Sequence, residues 1–496
     1  MEEQEEKKVI VKLKKVPLQS EREEIREKRK HKFSIFLLCL FIFVAGLGIG
    51  GGFVYGLRSK GYLPHSDNKY DAIKEYLGRA WLYKNDYEDL DSYLDDKAYA
   101  GMTFFDFDPY TSYMSVDEMK EYYSSINMNY VGIGVQYYLL NDVATITRVF
   151  KGSPAEIAGI LDGDIIVAVD GKSIEGLSSD DIKNAVVGEE GTNVVITVKR
   201  GGIEQNIVVT RGTVDSTVYA RANDDYVILE IMSFGETTTD EVVKYLNDYQ
   251  NYSKLIIDLR DNGGGYQTAV QGVASLFLGS NKIVMRQVYA DGYEEITNTI
   301  NGKYFDNFKN IIILTNGSTA SAAEVLVMAL KEGHENCISL GETTYGKGVV
   351  QTPYRLQDGS IVKITTSEWM SPSGKSINNE GIKPDIEVKL NDIFYQRALP
   401  FEKDDVYEFD QVSESIKIAQ LSLDYLGYDV KRKDGYFDED FLETLLMFKQ
   451  DHDLTINNKL DYDTYKEIIS EVSITYALDE NADPQLNKAK ELLNYD

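Results

Sequence analysis

The chain has 496 residues, enough for two to four domains. It carries 52 Lys and Arg against 81 Asp and Glu, a formal net charge of −29, which argues against a generic nucleic-acid binder needing a basic face. Two cysteines, Cys39 and Cys337, rule out a disulfide scaffold or a multi-cysteine metal site, and four histidines in no paired motif argue against a zincin; no metal or cofactor is expected.

Residues 1–32 form a charged tail, basic nearest the following segment (REKRKHK). Phe33 to Leu57 is a 25-residue run without a charge. That is long enough for a transmembrane helix. The positive-inside rule places the tail in the cytoplasm and the rest of the chain outside. A cleaved signal peptide would have a shorter apolar region and a small-x-small site, so an uncleaved anchor is favoured.

Residues 68–128 read as helical, clearest in YDAIKEYLGRAWLYKNDY and VDEMKEYYSSI, with the turn-rich FFDFDPYTSYMS between them. Residues 129–212 change to short β-rich runs (VGIGVQYY, VATITRVF, DIIVAVDG, NVVITVKR, QNIVVTRG) separated by glycine turns. Residues 213–395 look α/β: KLIIDLR and NIIILTN are buried-strand candidates, and TASAAEVLVMALKEG is a helix stopped at Gly333. A linker at 396–410 leads to a small, separate helical module, 411–480.

Three blocks carry chemistry. DLRDNGGG, Asp258–Gly265, ends a strand in glycines that let backbone approach something closely, although a flexible turn would look the same. NGSTASAAEVL, Asn316–Leu326, puts Ser321 at the start of a helix, where free N–H groups stabilise an oxyanion. Helix capping is the alternative there, with Ser318 and Thr319 better placed for it. GETTYGKGVVQ, Gly341–Gln351, holds Lys347 between two glycines. A lysine acting as a base must be neutral, hence desolvated or near another cation. His334 lies 13 residues after Ser321, about 20 Å along a helix, too far for a triad. Cys337 sits in an apolar context and reads as a buried small residue.

GSPAEIAGILDGDIIVAVDGKSI, Gly152–Ile174, resembles the heart of a PDZ domain spanning 129–212. The resemblance implies that Gly132, Ile133 and Gly134 form a loop for a peptide's terminal carboxylate, with the helix beginning near Ser179 as the opposite wall. The three blocks, in their order, resemble the carboxy-terminal processing proteases over roughly 70–395. DPYTSYM, LQDGSIVKITT, PSGKSI and GIKPD complete the series. That resemblance implies an inserted PDZ domain that gates the site in one sense or the other. It also implies Ser321 as nucleophile, Lys347 as base, Gln351 as the residue orienting it, and an oxyanion hole from Ala322 and a glycine at 264 or 265. Two positions depart from the family pattern: Ser318 stands where a glycine is usual, and Gly263 where a proline is common.

Near the end, Gln420, Gly427, Asp434, Gly435, Phe437, Phe448 and Gln450 resemble the pattern of a peptidoglycan-binding domain. A purely structural helical cap is the alternative. The expectation is a multidomain chain: one N-terminal transmembrane helix, an α/β protease core with an inserted mainly-β PDZ domain, and a small helical C-terminal domain. It would be a membrane-anchored serine endopeptidase with a Ser-Lys dyad. Its partners would be the C-terminal tails of protein or peptide substrates, the membrane through one helix, and peptidoglycan, with no nucleic acid and a homo-oligomer left open. A catalytically silent scaffold is the competing class. A wall hydrolase lacks a metal set or a defined carboxylate pair.

Overall fold

The computed structural model describes residues 19–60, 66, 68–150, 152–223, 225–396 and 401–494. The first 18 residues of the expected tail and 397–400 of the expected linker lie outside them. The chain separates into two compact units, Met1–Met102 and Thr103–Asp496, which divides the expected helical region 68–128.

In the first unit, α1 (Gln19–Ser59) contains the whole uncharged run. Among the described residues it is the one helix long and apolar enough to cross a membrane. Helix α2 (Lys69–Ala80) starts on Asn68, whose side chain accepts the Tyr70 N–H. Lys74 joins it to Asp95 of α3 (Leu90–Met102).

The second unit opens with β1 (Ser112–Met114) and α4 (Val116–Ile126), whose first turn is closed by a Ser115–Glu118 capping box. After β2 (Asn129–Gly132) come β3 (Val135–Leu140), β4 (Val143–Val149), α5 (Pro154–Ala158), β5 (Ile165–Val169), β6 (Lys172–Ser173), α6 (Ser179–Val186), β7 (Asn193–Arg200) and β8 (Ile203–Thr210). The sheet order is β3-β4-β5-β7-β8, with β6 beside β5. Alternate residues such as Ile146, Ile166, Ile196 and Val198 turn inward against Ile182 of α6, giving this part its own core. β9 (Gly212–Asp215) pairs antiparallel with β2, bringing both ends of the β-rich part together.

The α/β part follows: β10 (Val218–Ala222), β11 (Val227–Ile231), α7 (Thr238–Asn247), β12 (Lys254–Asp258), α8 (Gln267–Leu278), β13 (Ile283–Tyr289), β14 (Glu294–Asn298), β15 (Asn310–Thr315), α9 (Ala322–Gly333), β16 (Cys337–Gly341), β17 (Val349–Arg355), β18 (Ile361–Met370) and β19 (Ile386–Glu387). One sheet runs β10-β11-β12-β15-β16-β19, parallel except for β10. A second runs β1-β18-β13-β14, with β17 also on β18. Helix α9 ends at Gly333, as expected, and a Cβ there would stand 2.7 Å from Leu278 Cδ2. The glycine serves close packing of α9 on α8.

The central strands are apolar without interruption because both of their faces are buried. Leu255, Ile257, Ile311 and Ile313 face α8 and α9. The alternate residues, Ile256, Ile312 and Leu314, need a second cover. It comes from the chain's end: after β20 (Val406–Glu408), α10 (Glu414–Tyr425), α11 (Glu439–Asp451), β21 (Lys459–Asp461) and α12 (Tyr462–Leu478), helix α13 (Pro484–Asn494) lays Leu486, Ala489 and Leu493 on that face. The C-terminal helices therefore do not stand apart as expected. Ile416, Leu445 and Ile469 share one core with Leu140, Val143 and Ile165 of the β-rich part. Lys199 pairs with Glu467 across the same contact at 2.7 Å.

The turn before α13 is tied to the end of β12. Arg260 pairs with Asp258 and with Asp483, each at 2.7 Å, and donates to Gln485 Oε1 at 3.1 Å. Breaking a buried pair leaves a charge without its partner. Asp483→Ala is expected to destabilise the second unit by about 2–3 kcal/mol, less than a full orphaning because Asp258 remains. Denaturant titration of the variant beside the wild type checks this.

Candidate active site

β12 and β15 are neighbouring parallel strands, and the loops leaving their C-terminal ends meet. Ala320 N–H donates to Asn262 O at 2.9 Å. Asp261 N–H donates to Asn316 Oδ1 at 3.0 Å, and Thr319 Oγ1 donates to Leu259 O at 2.9 Å. The second loop delivers Ser321 to the N-cap of α9 with φ +55° and ψ −118°. A positive φ is costly for a residue with a Cβ and persists only where neighbours enforce it. Ser321 itself, not Ser318 or Thr319, occupies the cap. Thr319 Oγ1 is spent on the loop stitching instead.

The glycines of DNGGG press directly on Ser321. A Cβ at Gly264, where φ is +107°, would stand 2.7 Å from Ser321 Cβ and 3.0 Å from Ala322 N. At Gly265, φ +144°, it would stand 2.3 Å from Phe234 O. The Gly264 N–H is engaged, donating to Asn262 Oδ1 at 2.8 Å. The N–H groups of Gly265 and Ala322 meet no acceptor among the described residues.

Lys347 arrives on the loop between β16 and β17. The loop lies so close to residues 378–381 that a Cβ at Gly346 or Gly348 would come within 2.7 or 2.5 Å of them. Trp369 Nε1 donates to Lys347 O at 2.7 Å. The Lys347 N–H donates to Glu324 Oε2 at 2.9 Å, the same oxygen that accepts the Ser321 N–H at 2.8 Å. Glu324 Oε1 accepts from Thr344 Oγ1 and from the Gly346 N–H. This buried carboxylate binds nucleophile turn and lysine loop together. Burial pushes its carboxyl up, and the four hydrogen bonds oppose that.

The Lys347 side chain is mostly buried, its Nζ 4.8 Å from the Tyr110 ring centre. Desolvation lowers its pKa, the nearby Lys363 ammonium lowers it further, Glu324 opposes, and the result is about 8. Gln351 is bonded to Thr365: its Nε2 donates to Thr365 Oγ1 at 3.3 Å, and Thr365 Oγ1 donates to Asp108 Oδ1 at 3.0 Å. Asp108 also gathers the Tyr110 and Thr111 N–H groups, so DPYTSYM is built into the site's wall.

Ser321, Ala322, Gly264, Gly265, Lys347 and Gln351 all line one cavity of about 650 Å³. His334 caps the far end of α9 and contacts Phe308 O; Cys337 is buried on β16, its thiol pushed up to about 12 by burial. Glu324, Asp108 and Thr365 were not singled out from sequence. An acid three residues after a helix start looks like ordinary capping, and only the fold reveals its other bonds.

In the β-rich part, Gly132 lies on β2 against Gly212. The carbonyls of Ile133 and Gly134 accept from Ala155 and Phe150 N–H, and Gly134 has φ +77°. Their own N–H groups meet no acceptor among the described residues. Tyr137 Oη of β3 donates to Ser179 O of α6 at 2.7 Å, linking the two walls. Of the seven C-terminal pattern residues, Gln420, Phe437 and Phe448 are fully buried, while Gly427 and Gly435 take positive φ. These are core and turn positions.

The model of peptidase family S41 matches residues 225–388, and that of a PDZ domain matches 145–200. The carboxy-terminal processing protease CtpA of Bacillus subtilis (strain 168) is 31% identical over 477 residues, 94% of this chain and 99% of that one. A probable CtpA-like serine protease of Staphylococcus haemolyticus (strain JCSC1435) is 31% identical over 392 residues, 78% of this chain and 77% of its own. A solved photosystem II D1 C-terminal processing protease is 25% identical, with a TM-score of 0.38, covering 68% of this chain and 86% of that chain. The chain belongs to the carboxy-terminal processing protease family and is a serine-type peptidase of family S41 with a PDZ domain.

Proposed function

We propose that the enzyme cleaves peptide bonds with a Ser321–Lys347 dyad. The observation that carries this is the strained Ser321 at a helix N-terminus, sharing a cavity with a lysine whose pKa is about 8. Neutral Lys347 takes the Ser321 hydroxyl proton as Oγ attacks the peptide carbonyl. The tetrahedral oxyanion is held by the Ala322 N–H and a glycine N–H. Gly265 is the better-supported donor, because Gly264 is committed to Asn262. Lysinium returns the proton to the departing amine. Water, deprotonated by Lys347, then opens the acyl ester and Ser321 recovers its proton. Gln351 orients Lys347 once it is released from Thr365.

The PDZ domain, 129–212, takes the substrate's C-terminal tail at Gly132, Ile133 and Gly134 and gates cleavage. The unengaged N–H groups of Ile133 and Gly134 support this. Helix α1 anchors the enzyme in the cytoplasmic membrane with the catalytic part outside, and the α10–α12 region holds it near peptidoglycan. Length and composition of α1 support the anchor. The test uses the full chain in detergent with an unfolded protein ending in apolar residues. Wild type is expected to cut it and Ser321→Ala to leave it intact; cleavage surviving in Ser321→Ala would refute the assignment.

A further inference from the structure

The active-site cavity holds a second ammonium. Lys363 lies on β18, where it shares one face with Thr365; the register of β18 on β17 shifts between Thr365 and Ser367. Lys363 and Trp369 line the cavity, and Thr365 holds Gln351. Gln351 stands opposite Thr365 and Pro353 opposite Lys363. Lys363 is therefore one same-face step, about 7 Å, beyond the residue that holds Gln351.

Three other half-buried lysines of this unit have carboxylates: Lys199 has Glu467, Lys331 has Asp385, and Lys466 has Asp142. Lys363 has none among the described residues. Its Nζ lies 4.6 Å from the Tyr122 ring centre and meets no hydrogen-bond acceptor among the described residues. The described cavity lining contains no Asp or Glu, and its other charge is the like-signed Lys347. In a chain with 81 acidic residues, Glu324 stands behind Lys347, but no carboxylate among the described residues pairs with Lys363. Two ammonium groups held together out of water are costly, and an entering anion relieves that cost.

We propose that Lys363 is a specificity residue that binds a carboxylate of the peptide substrate inside the active-site cavity, separately from the tail-binding loop of the PDZ domain. The chemistry is that of a carboxylate, supplied either by the substrate's C-terminus or by an acidic side chain near the cleaved bond. The proposal rests on the protease reading above.

The test is a cycle between substrate carboxylate and lysine, in the full chain. One peptide is made as the free acid, as the C-terminal amide, and as amides with a single glutamate at each position flanking the cleaved bond. Wild type, Lys363→Gln, Lys363→Met and Lys363→Arg are compared. For each enzyme the ratio of kcat/KM, charged over neutral peptide, is taken. This ratio cancels changes in folding, in Lys347 basicity and in PDZ binding that do not involve Lys363. Wild type is expected to favour a charged peptide at least about tenfold more than the Gln and Met variants do, chiefly through KM. The Arg variant should keep the preference. Coupling in the free-acid arm identifies the C-terminus, and coupling in a glutamate arm identifies a side chain. Equal ratios in all enzymes and both arms overturn the proposal while leaving the protease intact. Cleavage by a Ser321→Ala control would instead remove the Ser321–Lys347 reading on which the proposal rests.

Discussion

Lys347→Ala is expected to lower kcat/KM by about 10²–10⁴-fold, the usual contribution of a positioned general base. The wild-type rate should rise with pH through about 8 and then level, because only neutral Lys347 can accept the Ser321 proton. The sign follows from the causes. Desolvation and the Lys363 charge both disfavour lysinium, so the folded value lies below that of a free lysine. Lys363→Gln removes the second of these, so the rising limb should move to higher pH. Lys347→Arg should be as inactive as the alanine variant, since a guanidinium does not deprotonate in this range. Initial rates from pH 6 to 10, for all four enzymes, check the set. A flat wild-type profile, or a limb unmoved in Lys363→Gln, would count against this assignment of the base.

Much of this site was legible because its requirements are local. Gly264 and Gly265 are glycines because one lies against Ser321 and the other against Phe234 O, and consecutive glycines after a strand signal such an approach. Lys347 was legible for the same reason, its glycine neighbours being forced by residues 378–381. What stayed hidden depends on distant chain meeting. Glu324 has the identity and position of a common capping acid, yet three of its four donors come from the Lys347 loop, 20, 22 and 23 residues on. Thr365 looks like any strand threonine until the register of β17 on β18 sets it beside Gln351. Helix α13 lies beyond the helical module expected at 411–480. Its role as the second cover of the central sheet appears only when Ile256, Ile312 and Leu314 are seen to need one. Lys363 was passed over because a lysine at an inward strand position differs from a surface lysine only by register.

Glu324 is where the second large effect is expected. Its Oε2 accepts the N–H groups of Ser321 and Lys347, and its Oε1 accepts Thr344 Oγ1 and the Gly346 N–H. Glu324→Ala would leave these donors unsatisfied in a buried place, each at about 1–3 kcal/mol before relaxation. Glu324→Gln keeps the shape but is not conservative. Either amide orientation points an NH₂ group at a pair of positions that now donate, so at least one N–H faces another N–H. Rotating the amide only chooses whether the nucleophile turn or the Gly346 turn loses its acceptor. Both variants are therefore expected to lose at least about 100-fold in kcat, a misplacement cost, with the Gln variant nearer to wild type in stability than the Ala variant. Glu324→Asp retains the charge but is one methylene short, and should fall between wild type and Gln in rate. Measuring kcat and thermal denaturation together separates positioning from folding. A Gln variant of wild-type rate would show that the shared carboxylate does not set the Ser321–Lys347 geometry.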